Sequence, residues 1–245
     1  MAAVSNAQVE KPAKKTADEK REEARYKIKK AAIELFYEKG YENTTTRDIV
    51  LKTGILNGSI YNRFHSKEDI LVSAITDGMR NFLDGSRDVI DEVKDPMAAI
   101  VLPSAVELYL ASISPRAADI LYNAHRSWEA VCAYADIYTE WYEDVFSKYG
   151  AVVDRNTLRF RITAILGTVG NVCAMYAHGS NLSYREVLTA AVRLASGIVE
   201  IPVFDVPALV DKVETIVESG EFMIAGHSFR DIVSSIPKEE PPKTD

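Results

Sequence analysis

From Arg21 onward, apolar residues recur at intervals of three and four, the period of a helix with one buried face. The first such run carries Ala24, Ile28, Ala31, Ala32, Leu35 and Phe36 and stops at Gly40, as a helix C-cap should. A second run opens at Thr45, where Thr45 and Asp48 have the spacing of a capping box, and extends to about Thr53. Gly54 supplies a tight turn, and Ile55, Ile60, Tyr61 and Phe64 mark the apolar face of a very short third helix. Ser66 then caps a long helix that buries Ile70, Leu71, Ala74, Ile75, Phe82 and Leu83.

Further helices are predicted over about 96–112, 115–124, 127–148, 154–177 and 183–200, broken at "DP", "SP", "YG" and "HGSN". No segment alternates apolar and polar residues long enough for a sheet, and no repeat of 20–50 residues is visible. The fold class is therefore all-α. The organisation predicted is a disordered basic tail over 1–20, a three-helix unit over 21–67, a larger helical domain over 68–200, and an extension over 201–245. That extension holds one more amphipathic helix after Pro202 and a mobile Pro- and Lys-rich tail from 228.

Charge changes the picture. The chain of 245 residues carries a formal net charge of −7, but residues 1–67 hold 14 Lys and Arg against 9 Asp and Glu, and residues 68–245 hold 15 against 27. A basic end on an acidic remainder is expected where one end meets a polyanion, unless the clustering is chance. No apolar run is read as long enough to span a bilayer, and no signal peptide opens the chain, so no membrane partner and a cytoplasmic location are expected. Cys132 and Cys173 lie 41 positions apart without neighbouring ligands, so the reading is two buried free thiols, no metal and no cofactor.

The short third helix is the candidate for chemistry. Its outward residues are Asn57, Ser59, Asn62 and Arg63. Asn pairs in two-pronged fashion with adenine, Arg with guanine, and Ser with either, so the set can read base edges in a major groove. Gly58 costs helix propensity but lets the backbone approach DNA closely. A merely solvated polar face is the alternative.

The stretch "LFYEKGYENTTTRDIVLKTGILNGSIYNRFHSKEDIL" resembles the TetR family of one-component repressors through Gly40, Tyr41, Thr44, Thr45, Ile49, Gly54, Gly58, Tyr61, Phe64, Ser66, Lys67 and Leu71. The resemblance implies that Thr45, Tyr61 and Lys67 touch phosphates, that Arg47, Asn57, Ser59 and Asn62 reach bases, and that Ile49, Ile55, Ile60 and Phe64 are core. Thr46 and His65 complete the candidate contact set. Two departures stand out: Leu56 replaces the usual Ser or Thr cap of helix three, and Thr53 replaces a common alanine. Asn57 is the side chain available to take over the cap, at the expense of base reading.

One reading helix spans too few base pairs, so a homodimer on a palindromic operator is expected, its two readers ~34–36 Å apart. Ala164, Gly167, Thr168, Asn171, Ala174 and Met175 form a small-residue face, which with Leu194 and Ile198 of the next helix can build half of a four-helix interface or pack within the chain. Tyr109, Tyr122, Trp128, Tyr134, Tyr138, Trp141 and Tyr142, interspersed with His125 and Arg126, suggest a pocket for an apolar or aromatic effector, although ordinary core has the same spacing. "TGILNGSIY" and "LDGSRDVIDEVKDPMAAI" are similar to regulators of steroid and fatty-acid breakdown, which implies CoA thioesters or lipid catabolites as inducers. The resemblance further implies that ligand binding shifts the helix starting at Lys67, with a coupling of ~1–3 kcal/mol. Two other functions remain open on sequence: a helical enzyme using the aromatic pocket, against which no GxSxG, nucleotide loop or HExxH is found, and a DNA-binding protein without an effector.

Overall fold

The computed structural model describes residues 16–88, 94–150, 152–221, 223–224 and 227–236. The first helix, α1 (Ala17–Lys39), starts four residues before the position expected, because Thr16 and Glu19 form a capping box: the Thr16 hydroxyl accepts from the Glu19 N–H and the Glu19 carboxylate accepts from the Thr16 N–H at 2.7 Å. The predicted tail thus loses its last residues to α1, and the rest of it lies outside the described residues.

α2 (Thr46–Thr53) has the expected Thr45–Asp48 box, and Gly54 ends it at φ 69, a left-handed conformation that a side chain would strain. α3 (Asn57–Tyr61) is very short, as expected, at 5 residues. It is held by a small core of Ile28, Leu35, Phe36, Ile49, Ile60, Phe64, Ile70 and Leu71, contributed by α1, α2, α3 and the first turn of α4 (Lys67–Gly85). Helices as short as α2 and α3 are unstable alone, so this core is what keeps them folded.

The second domain comprises α4, α5 (Pro96–Ile113), α6 (Pro115–Arg126), α7 (Trp128–Lys148), α8 (Arg155–Ala177), α9 (Tyr184–Val199) and α10 (Val206–Ser219). α5 is its axis, touching α4, α6, α7, α8, α9 and α10. Being surrounded, α5 is apolar all round, and it and α8 are long and apolar enough to cross a membrane, contrary to expectation. In α5, 72% of that stretch is buried inside the protein. Pro103 sits within α5 and cannot donate to the Ala99 carbonyl one turn back. The Trp141 indole N–H from α7 donates to that freed oxygen at 3.1 Å, so the break in the ladder is repaired by a neighbouring helix. Gly170 of α8 marks another close approach: a Cβ there would lie 2.6 Å from the Cβ of His125 on α6.

The extension holds the predicted helix, α10, and residues 228–236 form structure where a mobile tail is expected, the rest of that tail lying outside the described residues. A two-residue antiparallel pairing of β1 (Met223–Ile224) with β2 (His227–Ser228) leads into α11 (Phe229–Ser235), and β1 packs on α4. Phe229 is buried against the Tyr109 ring, their centroids 6.1 Å apart, and this contact anchors the segment. Both cysteines are free thiols as expected, Cys173 buried and Cys132 half-buried, and burial pushes the Cys173 thiol well up.

Candidate nucleic-acid interface and the bundle behind it

α3 presents Asn57, Gly58, Tyr61 and Asn62 to solvent, with Arg47 and His65 exposed beside it, Thr46 and Ser59 half-buried. The side chains of Arg47, Asn57, Ser59, Tyr61 and Asn62 make no hydrogen bond among the described residues, so their donors and acceptors are free for a partner. The N-cap is Leu56, which makes no side-chain hydrogen bond and stands 78% exposed. Asn57 therefore does not replace the missing cap. Space around Gly58 is open, so nothing in the protein itself requires a glycine there.

Three of the predicted contact residues are engaged within the chain. Arg63 is half-buried and folds back to donate to the Ser59 carbonyl at 2.6 Å, so it is not on the outer face where its spacing placed it. Lys67 donates to the Tyr41 carbonyl at 2.7 Å with its ammonium 4.1 Å from the Tyr41 ring centre. Burial, then Glu68 nearby, pushes the Tyr41 phenol up to about 12. The Thr45 hydroxyl is exposed but occupied as the cap of α2, donating to Asp48 at 2.8 Å. Lys39 and Thr45 together hold the Asp48 carboxyl far below the usual carboxylate range. Of the residues expected in the core, Ile49, Ile60 and Phe64 are buried and Ile55 is half-buried.

The three-helix unit is not tethered by α4 alone. α6 lies against it, with Ile120 and Ala124 entering its core. Asp119 of α6 accepts from the Tyr41 N–H at 3.2 Å, and the Ser114 hydroxyl that caps α6 is 3.0 Å from the Tyr37 hydroxyl. The other side of α6 reaches the centre of the bundle. There His125 Nε2 meets the Glu107 carboxylate at 2.7 Å, and the Tyr138 hydroxyl donates to the same carboxylate at 2.8 Å. A lone carboxylate in the apolar run of α5 is the signal that could have revealed this network, because a buried charge needs partners. Burial first, and the nearby Glu107 second, raise the Tyr134 and Tyr138 phenols well above their ordinary value.

Most of the aromatic residues expected to line a pocket form packed core instead. Tyr134, Tyr138, Trp141 and Tyr142 are buried, and the rings of His125, Tyr134, Tyr138 and Tyr142 stack at centroid spacings of 5.2, 6.0 and 6.4 Å. Tyr109 packs on Tyr184 and Phe229. Tyr122 lies under the exposed Arg126 guanidinium, and Trp128 is 68% exposed. Large rings fill the space between helices rather than leave it.

A cleft of about 260 Å³ does exist, between α5, α8 and α9. Its walls are Ile100, Val101, Ser104 and Leu108 of α5, Ile165, Thr168, Val169 and Val172 of α8, Val187, Ala190, Ala191, Leu194, Ala195 and Ile198 of α9, with Leu182, Glu186 and Tyr142. Tyr142 alone of the expected pocket residues belongs to it, whereas Thr168, Leu194 and Ile198 come from the face expected to pair two copies. On that face Ala164, Gly167, Asn171, Met175 and Leu194 are exposed, and Thr168, Ala174 and Ile198 are half-buried.

Comparison with known proteins bears on the first of these two regions. The profile described as "Bacterial regulatory proteins, tetR family" matches residues 28–74. The HTH-type transcriptional repressor KstR2 of Mycobacterium tuberculosis (strain H37Rv) is 39% identical over 70 residues, 27% of this chain and 33% of that protein. The fatty acid metabolism regulator protein of Bacillus subtilis (strain 168) is 32% identical over 74 residues, 29% of this chain and 38% of that one. The match thus spans about a third of the length of these curated relatives. Two solved structures share the fold: RolR in complex with resorcinol, with a TM-score of 0.55 at 17% identity over 77% of this chain and 99% of that one, and the fatty acid degradation regulator FadR of Bacillus halodurans, with 0.51 at 20% over 70% and 97%. The matched segment takes in the later part of α1, all of α2 and α3, and the start of α4, so the helix-turn-helix unit of this chain is similar to that of the tetR family of bacterial regulatory proteins.

Proposed function

We propose that the chain is a ligand-responsive transcriptional repressor that binds a palindromic DNA operator as a homodimer and is released by a small apolar effector. The observation that carries this reading is the free polar face of α3, with Asn57, Tyr61 and Asn62 exposed and unpartnered among the described residues, on a helix held by Gly54 and the buried Ile49, Ile60 and Phe64. Asn57 and Asn62 suit adenine edges, and each such contact contributes ~1–3 kcal/mol of discrimination. Thr46, Arg47 and His65 flank the face, and Lys67 can leave the Tyr41 carbonyl for a phosphate. The protein would work in the cytoplasm, where DNA is available.

The exposed small-residue face of α8 and α9 supports pairing of two copies, which places a second reader on the other half-site. Release requires an effector that favours one arrangement of the bundle over another. α6 is suited to transmit it, because the same helix holds Glu107 through His125 and the Tyr41 backbone through Asp119. RolR, which shares the fold, is described in complex with resorcinol, and the named relatives include a repressor and a fatty acid metabolism regulator.

Binding to DNA from around its own gene, measured against random-sequence competitor across salt, tests the reading. Specific binding should be lost in Asn62→Ala and Tyr61→Ala while both variants remain folded. Equal, weak and steeply salt-dependent binding by all three proteins would mean phosphate contact alone.

A further inference from the structure

We propose that the cleft between α5, α8 and α9 is an effector site, and that it takes an uncharged aliphatic or alicyclic molecule carrying a single hydroxyl or carbonyl group. The proposal rests on the effector-responsive reading above and assigns the site and the ligand class.

The aromatic centre of the bundle is closed by its own stacked rings, so a ligand must be accommodated elsewhere. The cleft owes its volume to small side chains: Ala190, Ala191 and Ala195 on α9 face Ser104 on α5. At about 260 Å³ it lies near the lower end of small-ligand sites. Apart from Ser104, Thr168 and Glu186, its walls are aliphatic side chains and Tyr142, whose hydroxyl is already committed to the Ile100 carbonyl at 2.9 Å.

Polar groups in the cleft are few, and they define the ligand. Ser104 is 6% exposed and its hydroxyl has no hydrogen-bond partner among the described residues, although it lines the cleft. That hydroxyl opens onto the cleft, and a ligand hydroxyl or carbonyl there would supply the partner that the protein does not. The Thr168 hydroxyl, by contrast, already donates to the Ala164 carbonyl at 3.3 Å. Glu186 also lines the cleft, but its carboxylate is turned back to accept from the Ser183 N–H and hydroxyl at the exposed start of α9, which keeps its carboxyl below the usual range. A carboxylate ligand entering this apolar space would be disfavoured by its lost hydration, with no cation in the lining to offset it.

The mouth carries Leu182 and Leu194, each partly exposed, and Leu194, Ile198 and Thr168 belong to the face proposed for pairing. A second copy paired along that face would cover the mouth. The floor has a connection of its own: Tyr142 stacks on Tyr138, which hydrogen-bonds Glu107, the partner of His125 on α6. Occupancy of the cleft thus bears on the helix that docks the reading unit.

Calorimetric titration of the full-length protein with 1-decanol and with decanoate tests the site. Decanol should bind, and decanoate should bind at least tenfold more weakly. Ala191→Phe, which fills the cleft, should abolish decanol binding with the helical circular dichroism retained. Ser104→Ala, a change too small to endanger folding, should weaken decanol roughly two- to tenfold, the span expected for one hydrogen bond. No decanol binding by the folded wild type, or binding indifferent to both substitutions, would overturn the proposal. Operator binding measured on the same preparations separates the two ideas: specific DNA binding without decanol binding removes this site and leaves the repressor, whereas decanol binding through Ser104 and Ala191 without specific DNA binding keeps the site and removes the repressor.

Discussion

The three-helix unit and the bundle behind it use the same residue types in opposite ways. In the first, most apolar side chains are committed to a small core, while the polar side chains of Arg47, Asn57, Tyr61 and Asn62 stand outward without intramolecular partners among the described residues. In the bundle, the residues that looked functional, the tyrosines, tryptophans and His125, are mostly consumed by packing or by one another, and open space occurs where alanines and a serine meet. A surface that must recognise another molecule is built from what the protein leaves unsatisfied; a cavity is built from what it leaves small.

That contrast can be broken most forcefully at the core of the small unit. Phe36 is fully buried there, and Phe36→Ala should cost ~3–5 kcal/mol. Thermal unfolding followed by circular dichroism should then show α1 to α3 lost before the bundle, with operator binding abolished. A single transition at the wild-type temperature would mean that the bundle, not this core, holds the unit together.

A smaller effect is expected from His125→Leu, which leaves the buried Glu107 carboxyl with the Tyr138 hydroxyl as its remaining hydrogen-bond partner. The loss should be about 1–3 kcal/mol, read from denaturant midpoints. Because His125 sits on the helix that docks the reading unit, operator affinity should change as well. Unaltered operator affinity at reduced stability would confine the network to a packing role.

The smallest effect concerns pH. Lys39 and the Thr45 box depress the Asp48 carboxyl below its ordinary value of 3.8. A group depressed in the folded state contributes stability that is complete above the unfolded value and disappears as pH falls toward the folded one. The stability of the reading unit should therefore decline below about pH 4, and Asp48→Asn should remove this share of the dependence. An identical acid profile in the variant would assign the loss to other carboxylates.

The legibility of the two regions differs for the same physical reason. Caps and turns are local, so Thr45, Asp48, Gly54 and Ser66 could be assigned their roles from neighbours three or four residues away, and the structure places each in that role. Thr16 and Glu19 have the same spacing but precede the first apolar position, which is why α1 was expected to begin later. Where roles depend on distant helices, spacing was silent. Arg63 has the period of the outer face, yet it folds back on Ser59 while Arg25 of α1 donates to its carbonyl and lies over Phe64. The cleft draws on residues from 100 to 198 whose side chains are individually unremarkable in sequence, so periodicity ranks the rings of α7 above the alanines of α9. Phe229 likewise looked like part of a tail because its partner, Tyr109, is 120 positions away.

Gly58 tests the central claim that α3 is a reading helix most directly. Its surroundings in the protein are open, so Gly58→Ala should fit and stabilise α3 by up to about 1 kcal/mol through helix propensity alone. If α3 enters a DNA groove, the added methyl group meets the DNA, and operator affinity should fall at least tenfold in the same variant whose melting temperature rises. Unchanged operator affinity in a folded Gly58→Ala protein would contradict the account.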